Sequence, residues 1–296
     1  IEDDNTRALS LQSGDVDMAQ GIRAGDIALF TDNKDYIVKS TTGTRIEFLV
    51  MNTVKSSLSD KNLRLAVNSA VDYDTIAKVV GGGAVPARAP FPASAPYGYD
   101  ELNKQTFDLE KTKTLLKEAG YKDTDNDGYV DKDGKNLELN IYGTAGGNTR
   151  ANSTVAELLE SQLKTAGIKA NIKIAENLDD IKKNGEFDLL FQNWQTVSTG
   201  DSQWFLDNAF KTDGSGNYGK YSNQQLDDLI NKLATTFDVK ERQKITKEAS
   251  QIIIDEGYGT YIVSQANVNV SNNKVENMGN FPIDYYFLKA DTKINK

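Results

Sequence analysis

The chain is 296 residues long, 38% hydrophobic and 26% charged, with 34 Lys and Arg against 43 Asp and Glu for a formal net charge of −9. That composition suits a globular protein with one large core or two moderate ones, and no apolar run approaches the ~20 residues of a membrane span. A negative chain without a basic block argues against nucleic acid or an anionic membrane as partner, and the absence of Cys and His removes thiol nucleophiles, Ser-His-Asp triads, disulfides and the usual zinc ligands.

Ile1 is not an initiator Met, so the chain reads as a processed protein or a cut piece of one. Asn5 to Ile22 predicts an amphipathic helix stopped at Gly14, then a short strand over Val16 to Met18. Arg45 to Val50 is a β-type run. A helix pair follows, with Ser59 or Asp60 capping the first helix, Leu63, Ala66, Val67 and Ala70 as its stripe, and Asp72 starting the second. Gly81 to Gly83 ends that pair; without a following Lys-Ser/Thr it is a hinge or C-cap and no phosphate loop. Four of the five prolines lie in Pro86 to Pro96, an extended segment carrying Arg88.

Asp108 caps a further helix that ends at Gly120. In the next turn Asp123, Asp125, Asp127, Gly128, Tyr129 and Asp131 fall on EF-hand positions one, three, five, six, seven and nine, but Gly134 stands at position twelve, where the bidentate Glu belongs. A strand follows instead of a helix. A tight acidic turn is therefore the default reading, with Ca²⁺ as the alternative. Leu137 to Tyr142 alternates as a strand and feeds a glycine-rich loop with Arg150. A helix through Val155 and Leu163 and a strand over Ile168 to Ile174 complete a βαβ unit. Another helix spans roughly Leu178 to Asn184.

Phe187 to Leu206 begins as an apolar run suited to a strand buried on both faces. It then breaks into a polar loop, Gln192 to Gln203, framed by the only two tryptophans, Trp194 and Trp204. A strand delivering an aromatic into such a loop, just before a helix, is a common way to build a small-molecule site; a surface loop with a Trp tucked under it is the plain alternative. A helix capped by Ser222 or Asn223 follows, and Asp238 with Glu241 forms a capping box for a long helix. Gly257 to Val263 is the last apolar strand, Val268 and Val270 alternate, and an aromatic tail (Phe281, Tyr285, Tyr286, Phe287) closes the chain.

The order of these segments resembles the C-terminal half of the extracytoplasmic solute-binding proteins of peptide and nickel ABC transporters, the dipeptide/oligopeptide/nickel-binding family 5. The matching stretches include ALSLQSGDVDMA (from Ala8), FLVMN (from Phe48), SDKNLRLAVNSAVDYDTI (from Ser59), LLKEAGYKDTDNDGYVDKDGKNLEL (from Leu115), LLESQLKTAGIKANI (from Leu158), FDLLFQNWQTVSTGDSQWFL and NYGKYSNQQLDDLI (from Asn217). They cover nearly the whole chain.

The resemblance implies an α/β, periplasmic-binding-protein-like fold (type II, cluster C). A large C-terminal lobe over 41–266 would carry a mixed sheet flanked by helices. Residues 1–40 would be part of an N-terminal lobe, and 267–296 a return segment to it. It implies no enzyme and no cofactor, but a non-catalytic, monomeric, extracytoplasmic receptor. Such a receptor, a cell-surface lipoprotein or periplasmic protein whose anchor lies outside this chain, hands a short peptide or metal chelate to an ABC permease.

At residue level the resemblance puts Trp194 on the family's cavity-lining tryptophan. Asp201 takes the acid of a Gly-Asp-Pro-x-x-Phe signature in which Ser202 replaces proline. Ser198 stands where peptide binders keep an aspartate for the ligand's α-amino group, a departure that leaves a nickel chelate open. Arg150 sits near the family arginine for the ligand carboxylate or else on a solvated loop, and Arg88 is a second charge partner. Without histidine, nickel would have to arrive in an organic chelator held through arginine and aromatic contacts, or be ligated by a segment of the family outside this chain. A carboxylate-pair glycosidase and a peptide-sensing or adhesion module on the same fold are the competing readings.

Overall fold

The computed structural model describes residues 1, 3–54, 57–146 and 152–295. Arg150 therefore lies outside the described residues. Helix α1 (Asp4–Ser13) starts where the Asp3 carboxylate accepts the Thr6 N–H at 2.8 Å. Strand β1 is Met18–Gln20, two residues later than the alternation predicts. The reason is local: the N–H groups of Asp15 and Val16 are still donated back to Ser10 O at the end of α1. After short helix α2 (Ala28–Thr31) comes β2, which runs 16 residues from Tyr36 to Met51.

Helices α3 (Lys61–Ser69) and α4 (Tyr73–Val80) are capped by Asp60 and Asp72, whose carboxylates accept from Asn62 N and Thr75 N. Strand β3 (Val85–Pro86) pairs at a sheet edge, which tolerates the missing proline N–H. Helix α5 (Leu109–Glu118) is capped by Asp108, and β4 (Asp131–Lys132) and β5 (Lys135–Asn136) close the acidic hairpin. Strand β6 (Glu138–Thr144), helix α6 (Ser153–Thr165) and strand β7 (Lys169–Ala175) form the expected βαβ unit, its strands parallel.

Helix α7 (Asp179–Asn184) leads to β8 (Leu189–Gln195), α8 (Gln203–Ala209) and α9 (Gln224–Thr235). Asp238 caps α10 (Val239–Asp255) by accepting Glu241 N at 2.9 Å. The reciprocal half of the expected capping box is replaced by a 2.8 Å bond from Lys232 to the Glu241 carboxylate. Strand β9 (Gly259–Asn272) is a single strand that absorbs both late β-type stretches, and β10 (Val275–Glu276) and β11 (Lys293–Ile294) form a small ribbon.

The main sheet runs in the order β1-β9-β2-β8-β6-β7, with β3 also on β9. Its central strands are buried on both faces, and alternation assigns each side chain to a face. Leu49, Met51, Leu189 and Phe191 join one core cluster with α3–α6, whereas Ile46, Phe48, Val50 and Leu190 join a second with α8–α10. Each of these buried side chains contributes about 1.5–3 kcal/mol of transfer free energy. A third cluster gathers Ala8, Leu11, Ala19, Ile22, Phe30, Val268 and Val270 around α1 and the far ends of β1 and β9.

The long β2–β9 ladder crosses from this third cluster to the other two. Its register shifts between Thr42 and Ile46. At Gly43 a Cβ would lie 2.6 Å from Gln265 O, so only glycine lets the strands approach this closely. None of the helices built from described residues is long and apolar enough to cross a membrane.

Candidate ligand-binding site

The ladder carries β8 further than its composition suggests. Gln192, Asn193 and Gln195 are polar and read as loop, yet they pair with Phe48, Glu47 and Arg45 of β2. Trp194 is therefore a strand residue, held on a rigid ladder opposite Ile46. Its ring meets Phe48 edge-on at 6.4 Å, Phe205 at 6.0 Å and Trp204, tilted, at 5.8 Å. From the other side the backbone of Gly216 closes on it: a Cβ there would lie 2.6 Å from Trp194 Cη2. The indole Nε1 is buried and has no hydrogen-bond partner among the described residues, whereas Trp204 is 47% exposed.

Trp194 and Trp204 line a cavity of about 270 Å³ together with Tyr218, Tyr285, Gln195 and Arg45. Arg45 and Gln195 also border a second cavity of about 270 Å³ that reaches Gln20, Gln265 and Asp284. Gly21, Gln265 and Ala266 join this to a third cavity of about 500 Å³ at the start of α6. Three neighbouring cavities that share walls thus form a cleft region along the irregular stretch of β2 and β9.

Its charged centre is Arg45. The guanidinium donates from Nε to Asp284 Oδ2 at 2.7 Å, from Nη2 to Asp284 Oδ1 at 3.4 Å and from Nη1 to Asn193 O at 2.9 Å. Gln195 Nε2 donates to Asp284 Oδ1 at 2.7 Å while its Oε1 accepts from Thr44 Oγ1. Neither Arg45 nor Asp284 stood out in the sequence. Arg45 opens an apolar strand run and is separated by 239 residues from a carboxylate in the aromatic tail; no local pattern links the two.

The candidates from the sequence scatter around this cleft. Trp194 lines it. Ser198 sits in the turn after β8 and borders none of the three cavities. Asp201 is committed elsewhere: Arg242 grips it through Nε–Oδ2 at 2.9 Å and Nη2–Oδ1 at 2.6 Å, and Gln203 N donates to it at 2.8 Å. Burial alone would push this carboxyl up, but the Arg242 fork and the Gln203 N–H outweigh it and hold it below its ordinary value.

Arg88 lies at positive φ (56°), is paired to Asp74, and lines a separate cavity of about 490 Å³ with Asn68 and Lys104. That cavity shares no residue with the Trp194 cavity.

In the acidic hairpin, carboxylate oxygens of Asp123, Asp125 and Asp131 lie within 4.8 Å of one another. Asp131 is buried, and both its oxygens accept from Thr124, whereas Asp127 turns away to Tyr129 N and Asn136.

The family model for bacterial extracellular solute-binding proteins, family 5, middle part, matches residues 1–217. The chain belongs to this family. Among its relatives, nickel-binding protein NikA of Staphylococcus aureus is 29% identical over all of this chain and 58% of its own length. Oligopeptide-binding protein AppA of Bacillus subtilis is 28% identical over 85% of this chain and 46% of its own. The chain thus spans about half the length of these curated relatives. A crystal structure of the S. aureus NikA in complex with Ni(L-His)₂ superposes with a TM-score of 0.78 at 28% identity, covering 100% of this chain and 61% of that one. The family 5 fold expected from the segment order is the observed one.

Proposed function

We propose that this chain supplies ligand-binding structure to the substrate-binding component of an ABC importer, which captures a short peptide or a nickel or other metal chelate outside the membrane and delivers it to a permease. The observation that carries this is the Trp194 cavity, an aromatic pocket with a guanidinium at one end. Stacking and apolar contact on Trp194, Trp204 and Tyr218 would supply affinity, and Arg45 would pair a ligand carboxylate. Family membership supports a receptor, not an enzyme, and so does the local chemistry: the one carboxylate bordering the first two cavities, Asp284, is bound by Arg45 and Gln195. Among the described residues lining the three cavities there is no carboxylate pair of the kind a glycosidase needs.

Asp201 then acts as a positioning residue, its fork fixing the turn between β8 and α8. We assign residues 41–266 to one lobe, and 1–40 with 267–296 to the other, a division supported by the separate third cluster. The protein would act as an extracytoplasmic monomer, as a cell-surface lipoprotein or in the periplasm. Titration with di- to hexapeptides, and with Ni²⁺ alone or with histidine, while following Trp fluorescence tests the reading. A saturable change with one class identifies the ligand; silence towards every peptide and chelate overturns transport.

A further inference from the structure

We propose that Asp284 is an internal placeholder for the ligand's carboxylate: it occupies the Arg45 guanidinium in the ligand-free protein and must be displaced for an anionic ligand to bind. The idea rests on the reading of the Trp194 cavity as the ligand site. Arg45 is the cation bordering both the Trp194 cavity and the adjoining one, and its fork is filled from the tail segment by both Asp284 oxygens. A planar guanidinium presents the same two N–H bonds to any carboxylate, so an incoming ligand and Asp284 compete for one set of donors.

The contact is built to be exchangeable. The two side chains keep 24% and 31% of their exposure, so water can reach both during the exchange. Arg45 remains anchored throughout by its Nη1 bond to Asn193 O on β8, and Gln195 holds the other edge of the carboxylate. The Asp284 backbone is tethered to β1 by Gln20 Nε2, which donates to its carbonyl at 2.6 Å, and the Pro282 carbonyl accepts from Thr44 N at 2.9 Å. Displacing Asp284 therefore requires its side chain to swing, not its segment to unfold. Tyr285, next in the chain, lines the Trp194 cavity, so the exchange is felt where the rings stack.

The consequence is selectivity by charge. A neutral ligand leaves the Arg45–Asp284 pair intact and gains nothing from it. A carboxylate-bearing ligand exchanges for Asp284. Metal chelates of amino acids and the termini of short peptides are of this kind.

The test compares the unaltered protein with Asp284→Asn, Arg45→Gln and the double variant. Nickel–histidine, a tripeptide and citrate are titrated against Trp fluorescence. Removing the competitor should tighten binding of the carboxylate probes by about 5- to 30-fold, the factor by which the ligand-ready fraction rises. Arg45→Gln should lose that gain, and the double variant should bind no better than Arg45→Gln alone. Equal or weaker binding by a folded Asp284→Asn protein overturns the placeholder while leaving the transport reading intact.

A second arm needs no ligand: modification of Arg45 by phenylglyoxal, followed by peptide mapping, should run faster in Asp284→Asn. Equal rates overturn the proposal even where no probe binds any variant, the outcome that would instead count against the proposed function.

Discussion

Gly216 determines where the Trp194 ring can lie. A methyl group added there would sit 2.6 Å from the ring, so Gly216→Ala must either tilt the indole or strain the loop, at a cost of about 1–3 kcal/mol. We expect a shifted Trp emission maximum and weaker ligand binding; unchanged emission and affinity would show that the ring is not held by this contact. Asp201 offers a test by acidity. Its carboxyl titrates below the ordinary 3.8 in the fold, so its stabilisation is complete above that value and disappears as pH falls through the lower folded value. Asp201→Asn should lower stability at neutral pH by about 1 kcal/mol, because the pair is partly screened by solvent. Melting curves of the two proteins should converge on acidification. Trp194 was legible in the sequence because a lone aromatic after an apolar run is conspicuous. Asp201 was conspicuous too, but its partner Arg242 lies 41 residues away on α10, where no spacing marks it.

Elements were legible wherever one side chain decides them. Asp60, Asp72, Asp108, Asn223 and Asp238 each accept a backbone N–H within three residues; capping is local chemistry, so Asp72, Asp108 and Asp238 read directly from sequence, while the choice of Asp60 over Ser59 and Asn223 over Ser222 is made by the fold. Strand lengths were not legible. The stretch of β2 from Lys39 to Thr44 and the end of β8 are polar or glycine, and pairing with β9 and β2 makes them strands. The acidic hairpin is decided within itself: Thr124 N and Oγ1 both donate to Asp131. Asp131→Ala should therefore destabilise the protein by about 1–3 kcal/mol by orphaning these donors. Because Asp131 already has partners and position twelve is Gly134, millimolar Ca²⁺ should leave the melting temperature unchanged; a rise would make the hairpin a calcium site.

At the scale of the whole molecule, binding to the folded state alone should raise its stability. At a ligand concentration one hundred times Kd the gain is about 2.7 kcal/mol, readable as a higher melting temperature. A probe that changes Trp fluorescence without moving the melting temperature would not be binding the folded state in preference to the unfolded one, and its signal would not count as capture. Neither the strand order nor the meeting of Arg45 with Asp284 follows from any periodicity, since both depend on contacts across more than 200 residues. The likeness of segment order to a known family pointed to the fold class, whereas the pairing of Arg45 with Asp284 came only from the folded structure.

The β2–β9 ladder behaves mechanically as a leaf spring. Two hydrogen-bonded strands resist sliding along their length but flex and twist readily where their pairing is interrupted, and here the longer interruption lies between Thr42 and Ile46, with a second shift between Glu47 and Phe48. Movement of the third cluster against the rest would concentrate there, and Arg45 is mounted on the bend itself. Amide hydrogens beside Gly43 should exchange with deuterium sooner than those at Val38 or Leu49 on either side, and ligand binding should slow them most. A distortion of a few degrees in the ribbon would then re-aim the guanidinium, making the spring and the anion clamp a single moving part.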